Sequence, residues 1–418
     1  MIKKIFSNCD AKTVVLGLQH TFVMFGATVL VPIITGLDVG VALFAAGAGT
    51  LIFHFVTGFK VPIFLGSSFA FIPPILAIVQ SGGSIETALG GIFCAGLLYI
   101  LVAVILKFID PDFIEKILPA HVTGPMIILI GLMLSSVAIE QASGAYGLAE
   151  LKGTMNCWLL ALFTLSTGIF IKIYFGRSGK SFLSALPVLI SLAAGYFAAG
   201  VTGFVDFTLM QEAAWFGVPK FTFPEFDASA ISIAVPVAIV TIVEHFGDIL
   251  AIGNVTGRDY IKDPGISRTL LGDGIATSLS ALVGGPANTT YSENTGAVAL
   301  TGNYNPTIMR IAALFAITLS FIPKFSAIIQ SIPSPVIGGI SILLFGMIAS
   351  IGIKNMVDAK VDLSDPALLI ITSTMFVLGL GGAEWVFGPL RFSGLGLSAI
   401  VGILLNIIIN RKSLKKLS

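Results

Sequence analysis

Twelve stretches of about twenty mainly apolar residues follow one another along this chain, near 14–34, 39–59, 85–108, 120–139, 155–175, 182–204, 230–253, 265–284, 306–322, 332–353, 366–383 and 390–410. A helix needs about 20 such residues to cross the hydrocarbon layer of a bilayer. Two further segments, near 62–80 and 286–301, are apolar at their edges and broken in the middle. With them the pattern predicts an all-α polytopic membrane protein of about 14 spans. Only 11% of the residues are charged, against about 25% in soluble domains, so no soluble domain is expected and the lipid bilayer is the chain's first partner.

The cations test that count. With the N-terminus in the cytoplasm, 19 Lys and Arg fall in the tails and even-numbered loops and 4 (Lys152, Lys220, Lys324 and Arg391) on the other side. Such a bias is the positive-inside pattern. It predicts an even number of crossings, both termini cytoplasmic, in a cell's inner membrane. The basic leader Met1–Lys12 runs into apolar sequence from Val14 without a small-x-small cleavage site, which reads as a retained first span. A net charge of +1 suggests no nucleic-acid partner, and Cys9, Cys94 and Cys157 have neither disulfide nor metal-site spacing.

The longest polar stretch, Thr202–Asp227, divides the chain into halves of about seven spans each. An odd number per half makes the halves inverted repeats. Each half holds one broken segment in a matching place: Leu65-Gly-Ser-Ser-Phe-Ala-Phe-Ile-Pro-Pro74 and Gly284-Gly-Pro-Ala-Asn-Thr-Thr-Tyr-Ser-Glu-Asn-Thr-Gly296. Unwound backbone is too costly to leave bare in lipid, so it must line a cavity or a ligand. Paired breaks at equivalent positions point to a transporter's midplane site, whereas one break alone would read as a simple kink.

Carboxylates sit in the same places. Glu293 lies inside the second broken segment, and a charge at bilayer depth costs at least about 2.5–3.5 kcal/mol. Glu244 and Asp248, four residues apart, share one face of the eighth span, while His245 points elsewhere. Thirteen apolar or small residues, Ile231 to Val243, precede Glu244, placing it well inside the span, whereas Asp248 could snorkel to the helix end. Two acids on one apolar face cannot both stay ionised in a dry site, which suits proton exchange. Asp273, flanked by Gly272 and Gly274, reads equally as a functional acid or as a hydrogen-bonded one between packed helices. His20 reads as a cross-helix hydrogen bonder, and His54 and His121 as packing or boundary residues. The Glu-His-x-x-Asp run lacks the second histidine of a zinc protease motif, so an enzyme is disfavoured. A channel suits buried acids on broken helices less well than an alternating site.

These residues resemble the nucleobase–ascorbate transporter family. Glu293-Asn-x-Gly-x-x-x-x-Thr301-Gly302 is similar to its signature, and Gln19-His20, Gly66-Ser-Ser-Phe-Ala-Phe71 and Glu244-His-x-Gly-Asp248 to its other conserved runs. Within it the chain looks most like the bacterial uracil-transporting members. The resemblance implies two inverted seven-span repeats, short strands in spans 3 and 10, a core domain (1–110 and 229–323) and a gate domain (111–228 and 324–418). It also implies homodimers and proton symport of uracil by alternating access, with the proton as coupling ion and no cofactor.

Uracil carries two N–H donors and two carbonyls on a flat ring. Glu244 and Glu293 would take the donors, and backbone N–H groups at Phe69 and Ser292 the carbonyls. Ser68 would stand beside them, with the rings of Phe69, Tyr291 and Phe345 against the base. Glu244, Asp248 and Asp273 would be the proton-coupling set. By resemblance Glu at the first signature position goes with uracil and Gln with xanthine or urate. Three positions depart from the best-known uracil-transporting member: Asp248 stands for a histidine, Asp273 for an amide and Phe345 for a tyrosine. Both acids are similar to those of purine-transporting members, which keeps xanthine or a broader nucleobase range open.

Overall fold

The computed structural model describes residues 10–108, 118–145, 153–177, 183 and 186–409. Lys3, Lys4, Arg411, Lys412, Lys415 and Lys416 of the basic tails, and Lys116, Lys152 and Lys180 of the charge count, lie outside the described residues. The first half runs through α1 (Ala11–Val23), α2 (Phe25–Thr35), α3 (Val39–Val56), β1 (Leu65–Ser67), a 3-10 turn (Phe69–Phe71), α4 (Ile72–Gln80), α5 (Ile85–Ile105), α6 (Ala120–Met133), α7 (Ser135–Ala142), α8 (Met155–Arg177) and α9 (Pro187–Val201). A short α10 (Thr208–Glu212) lies in the polar stretch. The second half holds α11 (Ala228–Ala234), α12 (Val237–Thr256), α13 (Ile266–Leu282), β2 (Asn288–Thr290), α14 (Ser292–Thr301), α15 (Thr307–Ser320), α16 (Pro323–Gln330), α17 (Ser334–Asp358), α18 (Pro366–Leu380), β3 (Glu384–Phe387), β4 (Leu390–Ser393) and α19 (Gly394–Ile409).

Polar caps mark several places where the chain turns into a helix. Asp38, Ser84, Asp227 and Asp365 each accept a first-turn backbone N–H. At Asp10 the Thr13 hydroxyl and backbone N–H both donate, which holds that exposed carboxyl below its ordinary range.

Among the described residues seven helical runs are long and apolar enough to cross a membrane by themselves, and α15 with α16, bent by 85°, makes up to eight. Four shorter apolar helices, Phe69–Gln80, Pro187–Val201, Pro366–Leu380 and Gly394–Ile409, accompany them. The protein is therefore a multi-pass membrane protein.

The all-α expectation needs one correction. The apolar run predicted to start a helix near 390 begins instead as β4, which pairs antiparallel with β3 in an exposed hairpin. Hydropathy cannot separate a short aromatic strand from a helix end. Gly388 and Gly394, at φ of 60° and 51°, bound β4. The span expected near 306–322 is helical over Thr307–Ser320, and just beyond it, at Phe321 and Ile322, the chain bends into a new helix opened by Pro323.

The helices pack in two groups. α1, α3, α5, α11, α13 and α15 contact one another, and α6 to α9 contact α17, α18 and α19. Small residues bring backbones close in both: a Cβ on Gly96 would lie 2.3 Å from Ser278 Oγ, and one on Gly338 2.0 Å from the Ala142 nitrogen. The polar stretch is stitched to the first group by backbone bonds from Gly217 to Phe321 (3.1 Å), Thr222 to Val283 (3.3 Å) and Glu225 to Glu86 (2.9 Å). On the same side β4 packs on α11, and the Arg391 N–H donates to Ser232 Oγ at 2.7 Å.

Candidate functional site

The two broken segments meet. β1 and β2 pair antiparallel, Leu65 opposite Thr290, Gly66 opposite Thr289 and Ser67 opposite Asn288, and the Ser68 N–H donates to Ala287 O at 3.0 Å. Two strands of three residues cannot satisfy their own backbones, so neighbouring helices do it. Thr50 Oγ1 of α3 accepts the Leu65 N–H at 2.9 Å, and Thr277 Oγ1 of α13 donates to Asn288 O at 2.6 Å. Asn288 in turn reaches across to donate to Ala45 O at 2.7 Å.

Gly66 is bare for a steric reason. A Cβ there would lie 2.7 Å from the Tyr291 ring, which rests over the strand. The Tyr291 hydroxyl accepts the Ala27 N–H just past the break between α1 and α2. This anchors the ring on the first span.

From this strand pair two helical ends start, Phe69–Gln80 and α14. Their first N–H groups carry partial positive charge, a favourable setting for the carboxylate of Glu293 in the first turn of α14. A cavity of about 1460 Å³ opens here. Its lining includes Ser68, Phe69, Tyr291, Glu293, Glu244 and Asp248. Its mouth includes Ala120, Lys172, Arg258, Lys354 and Asp358. Lys262 and Lys360 stand in the loops that follow two of these helix ends.

Glu244 is half-buried and Glu293 accessible, both toward this cavity. Asp248 is buried and accepts from Thr290 Oγ1 at 2.8 Å. Asp273 is fully buried one layer further back, outside the cavity lining. Its Oδ2 accepts the Thr290 N–H at 3.2 Å and lies 2.9 Å from His245 Nδ1. His245 Nε2 reaches Thr269 Oγ1 at 2.9 Å. Both acids thus meet at Thr290, Asp248 from the cavity side and Asp273 from behind. Thr290, Thr269 and His245 were not singled out as site residues by sequence. Their only signal was polarity next to a predicted break or acid.

Phe345 is fully buried in α17 and stands edge-on to Phe69, with ring centroids 5.6 Å apart, but it does not line the cavity. Ser292 opens α14, and its side chain lies outside the described residues. His20 bonds across helices, as its position suggested, with Asn294 Nδ2 3.2 Å from its Nδ1. Signature residues Asn294, Thr301 and Gly302 therefore build the helix: Asn294 ties it to α1, Thr301 donates to Val298 O, and Gly302 ends it at φ of 60°. Among the described residues no group of three or more His, Cys, Asp or Glu side chains is placed to hold a metal.

The sequence model of the Permease family matches residues 11–387. The uracil permease of Bacillus caldolyticus is 43% identical over 407 residues, spanning 95% of this chain and 91% of that one. The uracil permease of Bacillus subtilis (strain 168) is 43% identical over 402 residues, spanning 94% and 91%. Among solved structures, the transmembrane domain of a cyanobacterium bicarbonate transporter, BicA, matches with a TM-score of 0.66 over 96% of this chain and 98% of that one. At 17% identity that likeness is one of fold.

Proposed function

This chain belongs to that permease family, the nucleobase–ascorbate transporters, and from there we propose that it imports uracil with a proton by alternating access. It is a nucleobase transporter and not an enzyme. The observation that carries the finer reading is the convergence of Glu244, Glu293 and Phe69 on one cavity at two helix starts. Two carboxylates offer acceptors to the two uracil N–H groups, and helix-start N–H groups offer donors to its carbonyls. Phe69 gives the flat ring an aromatic neighbour. Glu is the better first signature residue for a base that donates there, since it only accepts when ionised.

Glu244 is the proton carrier in this reading, with Asp248 beside it. Asp273, behind β2 and held by His245 and the Thr290 N–H, would join the coupling set by responding to Asp248 through Thr290. The two helix groups are the core and gate domains that move against each other. The cavity mouth lies at the cation-rich helix ends, so we read it as open to the cytoplasm, with both termini on that side of the inner membrane. The working unit is the homodimer that the family resemblance implies. A purine such as xanthine is the second reading, favoured by the two extra acids Asp248 and Asp273.

The test is a thermal-shift titration of the purified protein with uracil and with xanthine, followed by uptake into proteoliposomes. A ligand that binds the folded state raises the melting point, by about 2.7 kcal/mol of stabilisation at a hundredfold excess over Kd. We expect a shift with uracil and uptake that collapses when a protonophore dissipates an inward proton gradient. A shift with xanthine alone would overturn the substrate, and gradient-independent uptake would overturn the coupling.

A further inference from the structure

Five glycines line the cavity: Gly26, Gly247, Gly253, Gly257 and Gly296. Three have an evident reason to be glycine. A Cβ on Gly26 would press on the Tyr291 hydroxyl at 3.2 Å, and one on Gly253 would lie 2.8 Å from Arg258 O. Gly257 caps α12 at φ of 68°. Gly247 and Gly296 have none of these reasons. Both lie inside helices, and beyond its own stretch of helix a Cβ on either would meet no atom within 4 Å. Glycine is the poorest helix former after proline, so a bare helical position with no packing partner weakens its helix for no structural return.

Their places repeat. Gly247 follows Glu244 by three residues, and Gly296 follows Glu293 by three, so each glycine shares a helix face with its carboxylate. α12 and α14 also pack on one another. Both glycines are exposed, and the space they are exposed to is the cavity.

We infer that Gly247 and Gly296 are specificity-determining positions, their missing side chains leaving the room in which a flat nucleobase reaches Glu244 and Glu293. The inference rests on the nucleobase reading above and adds which positions set the size limit. Because nothing in the protein occupies the space, a methyl group placed there contacts the substrate and not the fold.

The test uses Gly247→Ala, Gly296→Ala and Gly247→Val in the full chain. Three quantities are read: the melting point without ligand, the affinity for uracil, and the affinity for a bulkier base such as 5-iodouracil or xanthine. Both alanine variants should melt at or above the parent's temperature. Each should bind uracil up to about tenfold more weakly and the bulkier base more weakly still, as overpacking of a fitted site demands. Gly247→Val should bind neither while staying folded. Uracil affinity unchanged in Gly247→Val would overturn the inference. So would a drop in ligand-free melting point in the alanine variants, because it would make the glycines packing residues. A parent protein that binds no base at all would instead break the functional reading.

Discussion

The two broken segments are alike in backbone and unlike in chemistry. Each enters as a three-residue strand and leaves as a helical end pointing at one cavity. The first supplies Gly66, Ser67, Ser68 and Phe69: shape, backbone and one ring. The second supplies Thr290, Tyr291 and Glu293, and it is backed by Asp248 and Asp273 through Thr290. Both segments therefore expose helix-start N–H groups, and of the two only the second carries charge. A ligand in the cavity would meet both segments at once, so a single charged segment suffices to orient it.

That asymmetry can be broken from the charged side. Glu293→Ala should have the largest effect, removing a charge-assisted hydrogen bond of about 1.5–3 kcal/mol and lowering uracil affinity roughly 10- to 150-fold. Calorimetry at matched protein levels would read it, and parent-like binding would take Glu293 out of the site. The first segment answers differently, because its part is geometric. Gly66→Val drives a side chain into the Tyr291 ring, and such overpacking typically costs about 1–3 kcal/mol, visible as a lower melting point before any ligand is added. A variant that melts like the parent would mean Tyr291 is free to leave the strand.

A smaller effect sharpens the comparison. Phe345 reaches the site only through Phe69, so the pair should couple in a double-mutant cycle by about 0.5–1.5 kcal/mol of binding energy. Additive losses would place Phe345 against the ligand by itself. Ser68→Ala should be the mildest, at or below about 0.5–1 kcal/mol in affinity, because its backbone bond to Ala287 survives. A loss as large as that of Glu293→Ala would give the first segment a side-chain role that its chemistry does not suggest.

Much of this was legible from the residues. Apolar run length marks the helices, and the breaks at Gly66 and Gly284–Gly285 mark the strands, because lipid punishes both charge and bare backbone. Glu244 and Glu293 stood out for the same reason. What sequence could not supply was register and depth across the molecule. His245 pointed away from Glu244 and Asp248 as helix geometry requires, but no periodicity says that it faces Asp273 on α13. Thr290 looked like one more small polar residue in a loop, and its junction role exists only once β2 is paired. Phe345 is an aromatic at the right span but one layer too deep, a distinction of a few ångströms that hydropathy does not resolve. The hairpin at Glu384–Ser393 was hidden because its residues are as apolar as a helix end.

The strand pair also has a consequence for how such a protein is made. Leu65 finds its partner Thr290 only after most of the polypeptide has left the ribosome. Until then the Leu65–Ser67 backbone waits in or near lipid without its ladder, held only by side chains such as Thr50. A contact so distant in sequence forms late and slowly. A chain interrupted anywhere before the second half should therefore present a recognisable defect to membrane quality control. The same few residues that shape the ligand site thus report that synthesis has passed β2 in the second half.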